Sequence, residues 1–202
     1  MVQKLENGEY SANEKRRYFT TVDLATIGLL AGLGNLVSSG LDLFKPFFKG
    51  LPVPVFQLLG GYHLIWLILA FGFTKKRGSP TMTALIKGIL EFMLWDPFFG
   101  PWVIPLCIVE GIMIDFGLWA FQRLENERTI WILSGIVGNA IQPVVSYSII
   151  FYYLGKSFPD PYILFFAMLF AIISGALIAG LLGHELNQLF HRKDVRAYIT
   201  ST

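Results

Sequence analysis

The chain has 202 residues, 54% of them hydrophobic and 15% charged, with a mean hydropathy of +0.56. A water-soluble domain needs more polar surface than this to cover itself, so the composition excludes an ordinary soluble fold and points to lipid as the main solvent. The formal net charge of +2 is too small to argue for a nucleic-acid partner, and the single cysteine, Cys107, excludes an internal disulfide and a multi-cysteine metal site.

Residues 1–21 are polar and charged, with Lys15, Arg16 and Arg17 close to the first apolar run, and are expected to form a cytoplasmic N-terminal segment. That run, residues 22–41, is about the 20 residues a helix needs to cross a bilayer. A cleaved signal peptide would not carry so long and acidic an n-region, and no A-x-A site follows, so it reads as a retained helix. Further runs cover residues 53–73, 80–95, 101–121, 129–154 and 161–182, the last followed by a polar helical tail toward His191. The third is short and carries Lys87 and Glu91.

The expected fold is therefore an all-α membrane protein. It comprises a six-transmembrane-helix bundle over residues 22–191 and a cytoplasmic tail over 192–202. Basic residues set the orientation. With the N-terminus inside, Lys4, Lys15, Arg16, Arg17, Lys75, Lys76, Arg77, Arg123, Arg128, Arg192, Lys193 and Arg196 all fall on the inner side. Only Lys45, Lys49 and Lys156 fall outside, so both termini are expected in the cytoplasm. The connections at 42–54 and 95–102 are rich in aromatics and proline; they read as interfacial anchors, as lids over a solute, or as both.

Ionisable groups at membrane depth are costly unless they are paired or face a cavity. Here they are His63, Lys87, Glu91, Glu110 and Asp115. Lys87 and Glu91 are one helical turn apart and can pair, as a structural clamp or with Glu91 contacting solute. Glu110 and Asp115 do not share a face; Glu110 reads equally as a solute contact or a structural hydrogen-bonding group, and Asp115 rather as structural or partner-facing. Three acids against one lysine suit a cationic or amine-bearing solute better than an anion. Asn139 and Gln142 project together from the fifth run, beside Pro143 and below Tyr147, as interhelical ties or solute ligands. Gly28-x-x-x-Gly32, with Ala25 nearby, and the Ser174–Gly183 run allow close helix approach, within the chain or to a second membrane subunit.

Enzyme signals are absent. His184-Glu185 opens like a zincin motif, but the next histidine, His191, is seven positions on instead of four. No phosphate-binding loop or nucleophile elbow occurs, so neither a resident cofactor nor a metal is expected.

Residues 61–116 and the sixth run resemble the substrate-binding S components of group I energy-coupling-factor (ECF) vitamin transporters, most nearly the hydroxymethylpyrimidine/thiamine type. The matching pieces are Tyr62, Trp66, Lys76-Arg77-Gly78, Glu91, Asp96-Pro97, Gly100-Pro101, Glu110-Gly111, Asp115 and the small-residue run of the sixth helix. The resemblance implies capture of a vitamin from outside, in the plasma membrane of a prokaryote, in a pocket in the outer half of the bundle. It also implies docking of a transmembrane coupling protein on the first helix, where Ala25, Gly28 and Gly32 match, and separate ATPase subunits that drive uptake. Glu91 could accept a hydrogen bond from a ring amine, and Trp95, Phe98, Phe99, Trp102 and Tyr147 could stack on an aromatic ring or a thiazolium. With His63, Trp66, Glu110, Asn139 and Gln142, these form the expected substrate set. Two other readings stand beside it: a proton-coupled secondary transporter with Glu110 and Asp115 as relays, and a membrane scaffold or sensor subunit.

Overall fold

The computed structural model describes residues 18–42, 47, 54–94, 100–153, 155, 157 and 159–191, and these are helical with short connections and no strand. The first helix, α1 (Thr21–Asp42), starts at a reciprocal cap: Thr20 Oγ1 accepts from the Asp23 amide at 3.2 Å and Asp23 Oδ2 accepts from the Thr20 amide at 2.7 Å. A 3-10 turn (Val55–Leu59) leads into α2 (Gly61–Thr74), which stops where Lys75 turns left-handed (φ 54°) and its amide closes on the Phe71 carbonyl. Gly78, at φ 80°, turns the chain into α3 (Ser79–Met93), with Pro80 in its first turn. A second 3-10 turn (Gly100–Trp102) opens α4 (Val103–Ala120), and Asn126 caps α5 (Glu127–Tyr152) by accepting from the Arg128 amide.

Asp160 caps α6 (Pro161–Ser174) in the same way. The sixth apolar run continues into the expected polar helical tail. It passes without a break through a π segment (Gly175–Leu182) into α7 (Gly183–His191), because the residues at both junctions keep right-handed helical geometry.

Five stretches are long and apolar enough to cross a membrane: Thr21–Leu41, Gln57–Thr74, Gly100–Ala120, Glu127–Tyr152 and Pro161–His191. The sixth, α3, has 15 residues, about 22 Å of helix at 1.5 Å per residue. It matches the short third run of the sequence, and its length suits a helix that delivers a charged pair partway into the bundle.

The bundle is built around α2. Leu64, Ile65, Leu67, Ile68, Leu69 and Ala70 are all buried, so the helix is apolar on every side, as an enclosed helix must be. It packs on α1, α3, α5, the π segment and α7. In lipid, apolar burial gives little preference for one helix over another, so close packing and hydrogen bonds decide the contacts. Gly135 of α5 meets the Gly175 carbonyl of the π segment, and a side chain at either position would lie on the other's backbone. The small-residue run of the sixth helix is thus spent inside the chain.

The small residues of α1 are not. Gly28 and Gly32 face open space, Ala25 is exposed, and Val22, Leu29, Leu33 and Leu36 are exposed beside them.

Charges tie together the end of the bundle where α2 meets α3. Lys76 Nζ lies 2.5 Å from Asp23, and Lys75–Glu127 and Arg128–Glu185 each pair at 3.5 Å. The last two are about half exposed and contribute little. Asp115 of α4 belongs to the same end. It accepts from the Gly78 amide (2.8 Å), the Thr81 amide (3.1 Å) and the Thr81 hydroxyl (2.5 Å), and so supplies the N-terminal cap that α3 lacks in its own sequence.

Candidate substrate-binding site

The opposite end of the bundle collects the remaining ionisable groups. Because α2 and α3 run antiparallel, His63 near the start of α2 meets Lys87 and Glu91 near the end of α3. Lys87 is 2% exposed, and its ammonium bonds to Glu91 Oε1. The Cys107 thiol of α4 donates to Glu91 Oε2 at 3.3 Å. His63 Nδ1 stands 2.9 Å from the Ser38 hydroxyl of α1, 3.5 Å from Lys87 Nζ and 3.9 Å from Glu91 Oε1. An ammonium can only donate, so the Nδ1 facing it acts as an acceptor. Lys87 and Cys107 thus hold one carboxylate oxygen of Glu91 each, with His63 beside them and tied to α1 through Ser38.

Glu110 is buried on α4 three residues beyond Cys107, within electrostatic reach of Lys87 and Glu91. The α5 helix adds two amides. Asn139 is fully buried and donates from Nδ2 to the Ala171 carbonyl at 2.8 Å, which fixes its Oδ1 as an acceptor with no partner. Gln142 donates to the Ser146 hydroxyl at 3.1 Å, and its Oε1 is likewise without a partner. A buried acceptor left open is costly unless a ligand or water completes it. Tyr147 stands half-buried on the same helix, one turn on from Pro143.

The structure thus brings His63, Glu91, Glu110, Asn139, Gln142 and Tyr147 to one half of the bundle. Trp102 joins them at the rim, stacked on Tyr153 with ring centroids 3.9 Å apart. Trp66 lies apart, in the seam with α1, where its ring fills the space above Gly34. Trp95 and Phe99, together with Phe98, lie outside the described residues, as do residues 1–17 and 192–202.

Three participants escape a reading by residue type. Cys107 reads from sequence as a small packed residue, yet it holds Glu91. Ser38 carries no sequence signal beyond its position on an apolar helix. Ser174 reads as one small residue among many. Its hydroxyl donates to the Leu58 carbonyl and accepts from the Gly61 amide, both at 2.7 Å, and so pins the 3-10 turn, α2 and α6 together beside Asn139.

The fold and site together define a helical membrane bundle with a buried polar constellation in one half. The chain has the fold of a solved S component of an ECF transporter, matching that crystal structure with a TM-score of 0.71 over 85% of each chain at 22% identity. Residues 22–141 match the family described as ABC-type cobalt transport system, permease component, and the chain belongs to that family. A relative in Bacillus subtilis (strain 168), YkoE, carries the provisional name HMP/thiamine permease protein; it is 26% identical over 136 residues, which span 67% of this chain and 65% of that relative. The chain is a multi-pass protein of a prokaryotic plasma membrane.

The family description raises the question of a metal as cargo. His63, Glu91 and Cys107 are the right residue types to hold one, but the Lys87 ammonium sits among them and would repel a divalent cation there. Among the described residues, no group of three histidine, cysteine or carboxylate side chains is arranged for a metal.

Proposed function

We propose that this chain is the substrate-binding S component of an ECF-type ABC importer, and that it captures thiamine or its hydroxymethylpyrimidine moiety from outside the cell. The observation that carries this reading is the constellation itself. A carboxylate clamped by Lys87 and Cys107 shares one half of an S-component fold with two buried amide oxygens that have no partner. An aminopyrimidine offers amine hydrogens to such acceptors and a flat ring to the aromatic rim. The relative named for HMP and thiamine supports the same choice.

The chain is not an enzyme in this reading. ATP hydrolysis belongs to separate subunits, and a transmembrane coupling protein docks on the open face of α1 around Ala25, Gly28 and Gly32, where no atom of the described residues fills the space beside the glycines. Both termini face the cytoplasm, where the charged end of the bundle meets the coupling machinery. Proton-coupled transport by Glu110 and Asp115 is less favoured, because three donors already occupy Asp115 as a helix cap.

Isothermal titration of the purified protein with thiamine and with hydroxymethylpyrimidine tests the reading. Nanomolar affinity is expected, about 12 kcal/mol of binding free energy. No heat and no thermal protection with either compound would overturn it. Glu91→Gln should weaken binding, and an unchanged affinity would remove Glu91 from the site.

A further inference from the structure

The three acids and one lysine at membrane depth do not share one task. Asp115 is committed to the N-terminus of α3, at the far end of the bundle from Glu91. Lys87 and Glu91 neutralise each other in direct contact. Glu110 remains. It is 6% exposed, and among the described residues it has no ion-pair partner; Lys87 lies within electrostatic reach, but its ammonium is bonded to Glu91.

The register of α4 on α5 shows what Glu110 faces. The two helices are antiparallel, Gly117 lies against Ser134, and Gly138 lies against Ile114. One turn further along both helices, position 110 comes opposite Gln142. Gln142 Oε1 is one of the buried acceptors without a partner, and Asn139 Oδ1, held open by the bond from its amide to Ala171, is another on the same helix. Glu110 and the Gln142 amide oxygen therefore come to the same level of the bundle, where the described residues supply Gln142 with no donor, while the Asn139 oxygen lies on the neighbouring face of α5, toward Gly60. Such a lining disfavours an anion, tolerates a neutral donor and is completed by a positive charge.

We propose that Glu110 is the specificity-determining residue of the site, serving as counter-ion to an organic cation, with Gln142 as its neighbouring acceptor. The inference rests on the vitamin-binding reading above and adds a choice within it. Thiamine carries a permanent positive charge on its thiazolium ring, whereas hydroxymethylpyrimidine lacks that ring. Glu91, already neutralised, serves the shared pyrimidine; Glu110 serves the part that only the cation has.

The test is titration of both compounds against wild-type protein, Glu110→Gln and Glu110→Asp. Wild type is expected to prefer thiamine by at least ~10-fold, which corresponds to ~1.4 kcal/mol. Glu110→Gln, nearly identical in shape, should bring the two affinities within ~2-fold of each other, mainly by loss of thiamine binding. Glu110→Asp should keep a preference for the cation. The melting temperature of each ligand-free variant shows whether it folds, and removal of a buried charge should not lower it in Glu110→Gln. Equal losses for both compounds, or no loss, would overturn the assignment, as would a wild type that binds both equally. Wild type that binds neither compound ends the vitamin reading itself, and this inference with it.

Discussion

Asp115 on α4 caps the N-terminus of α3 through Thr81, taking both its amide, at 3.1 Å, and its hydroxyl, at 2.5 Å. A carboxylate at a helix N-terminus gains from the unpaired amides and from the helix dipole together. Asp115→Asn keeps the shape but loses the charge. It should lower stability by about 1–2 kcal/mol and leave vitamin affinity unchanged. Thermal unfolding in detergent together with titration checks both halves; an affinity that drops with unaltered stability would mean that Asp115 reads the ligand.

Lys87 and Glu91 invite the opposite experiment. Lys87→Met leaves the Glu91 carboxylate buried without its cation, at a cost of about 3–5 kcal/mol. The double variant Lys87→Met/Glu91→Gln should recover much of that loss, since no charge is then stranded. Equilibrium unfolding of both variants decides it. A single variant as stable as wild type would show that the pair is not coupled.

Glycines on two faces should behave differently. Gly135→Ala places a methyl group on the Gly175 carbonyl and should cost about 1–3 kcal/mol as α5 and the π segment part. Gly32→Leu on α1 meets nothing within the chain and should leave the melting temperature unchanged. It should instead reduce recovery of a coupling subunit in co-purification. If Gly32→Leu unfolds the isolated protein while Gly135→Ala does not, the packing assignment of these two helices is reversed.

Orientation can be read chemically. Cys107 is buried and hydrogen-bonded, so wild-type protein should resist a membrane-impermeant maleimide. In a Cys107→Ser background, Ser157→Cys should label in intact cells and Glu125→Cys only after permeabilisation, because the basic clusters flank position 125 and not position 157. The reverse pattern would place both termini outside.

Much of the bundle was legible because a bilayer restricts spanning segments to apolar helices of a known length. The runs at 22–41 and 101–121 correspond closely to α1 and to the turn that leads into α4. The run at 161–182 and its polar helical tail toward His191 form one continuous helix, as expected; the π segment within it carried no sequence signal. The pairing of Lys87 with Glu91 was legible from their spacing alone. What Asp115 binds was not, since its partners are backbone amides, which every residue has. Cys107 is the small packed residue that the sequence suggests; its bond to Glu91, 16 positions earlier, was not legible because only the packing of α3 on α4 brings the two together. Trp66 entered the substrate set through the family resemblance; its ring lies against Gly34 of α1.

Sequence by itself determined that the chain is a set of apolar helices suited to lipid and which residues carry charge within them, because hydropathy and helical spacing are local quantities. Only the tertiary structure decided what else those charges meet: Asp115 the N-terminus of α3, Glu91 the Cys107 thiol as well as Lys87, and Glu110 a buried place on α4 with no ion-pair partner among the described residues. The physical reason is that a buried charge is defined by what lies within a few ångströms of it, and those neighbours come from other helices whose register no single segment encodes.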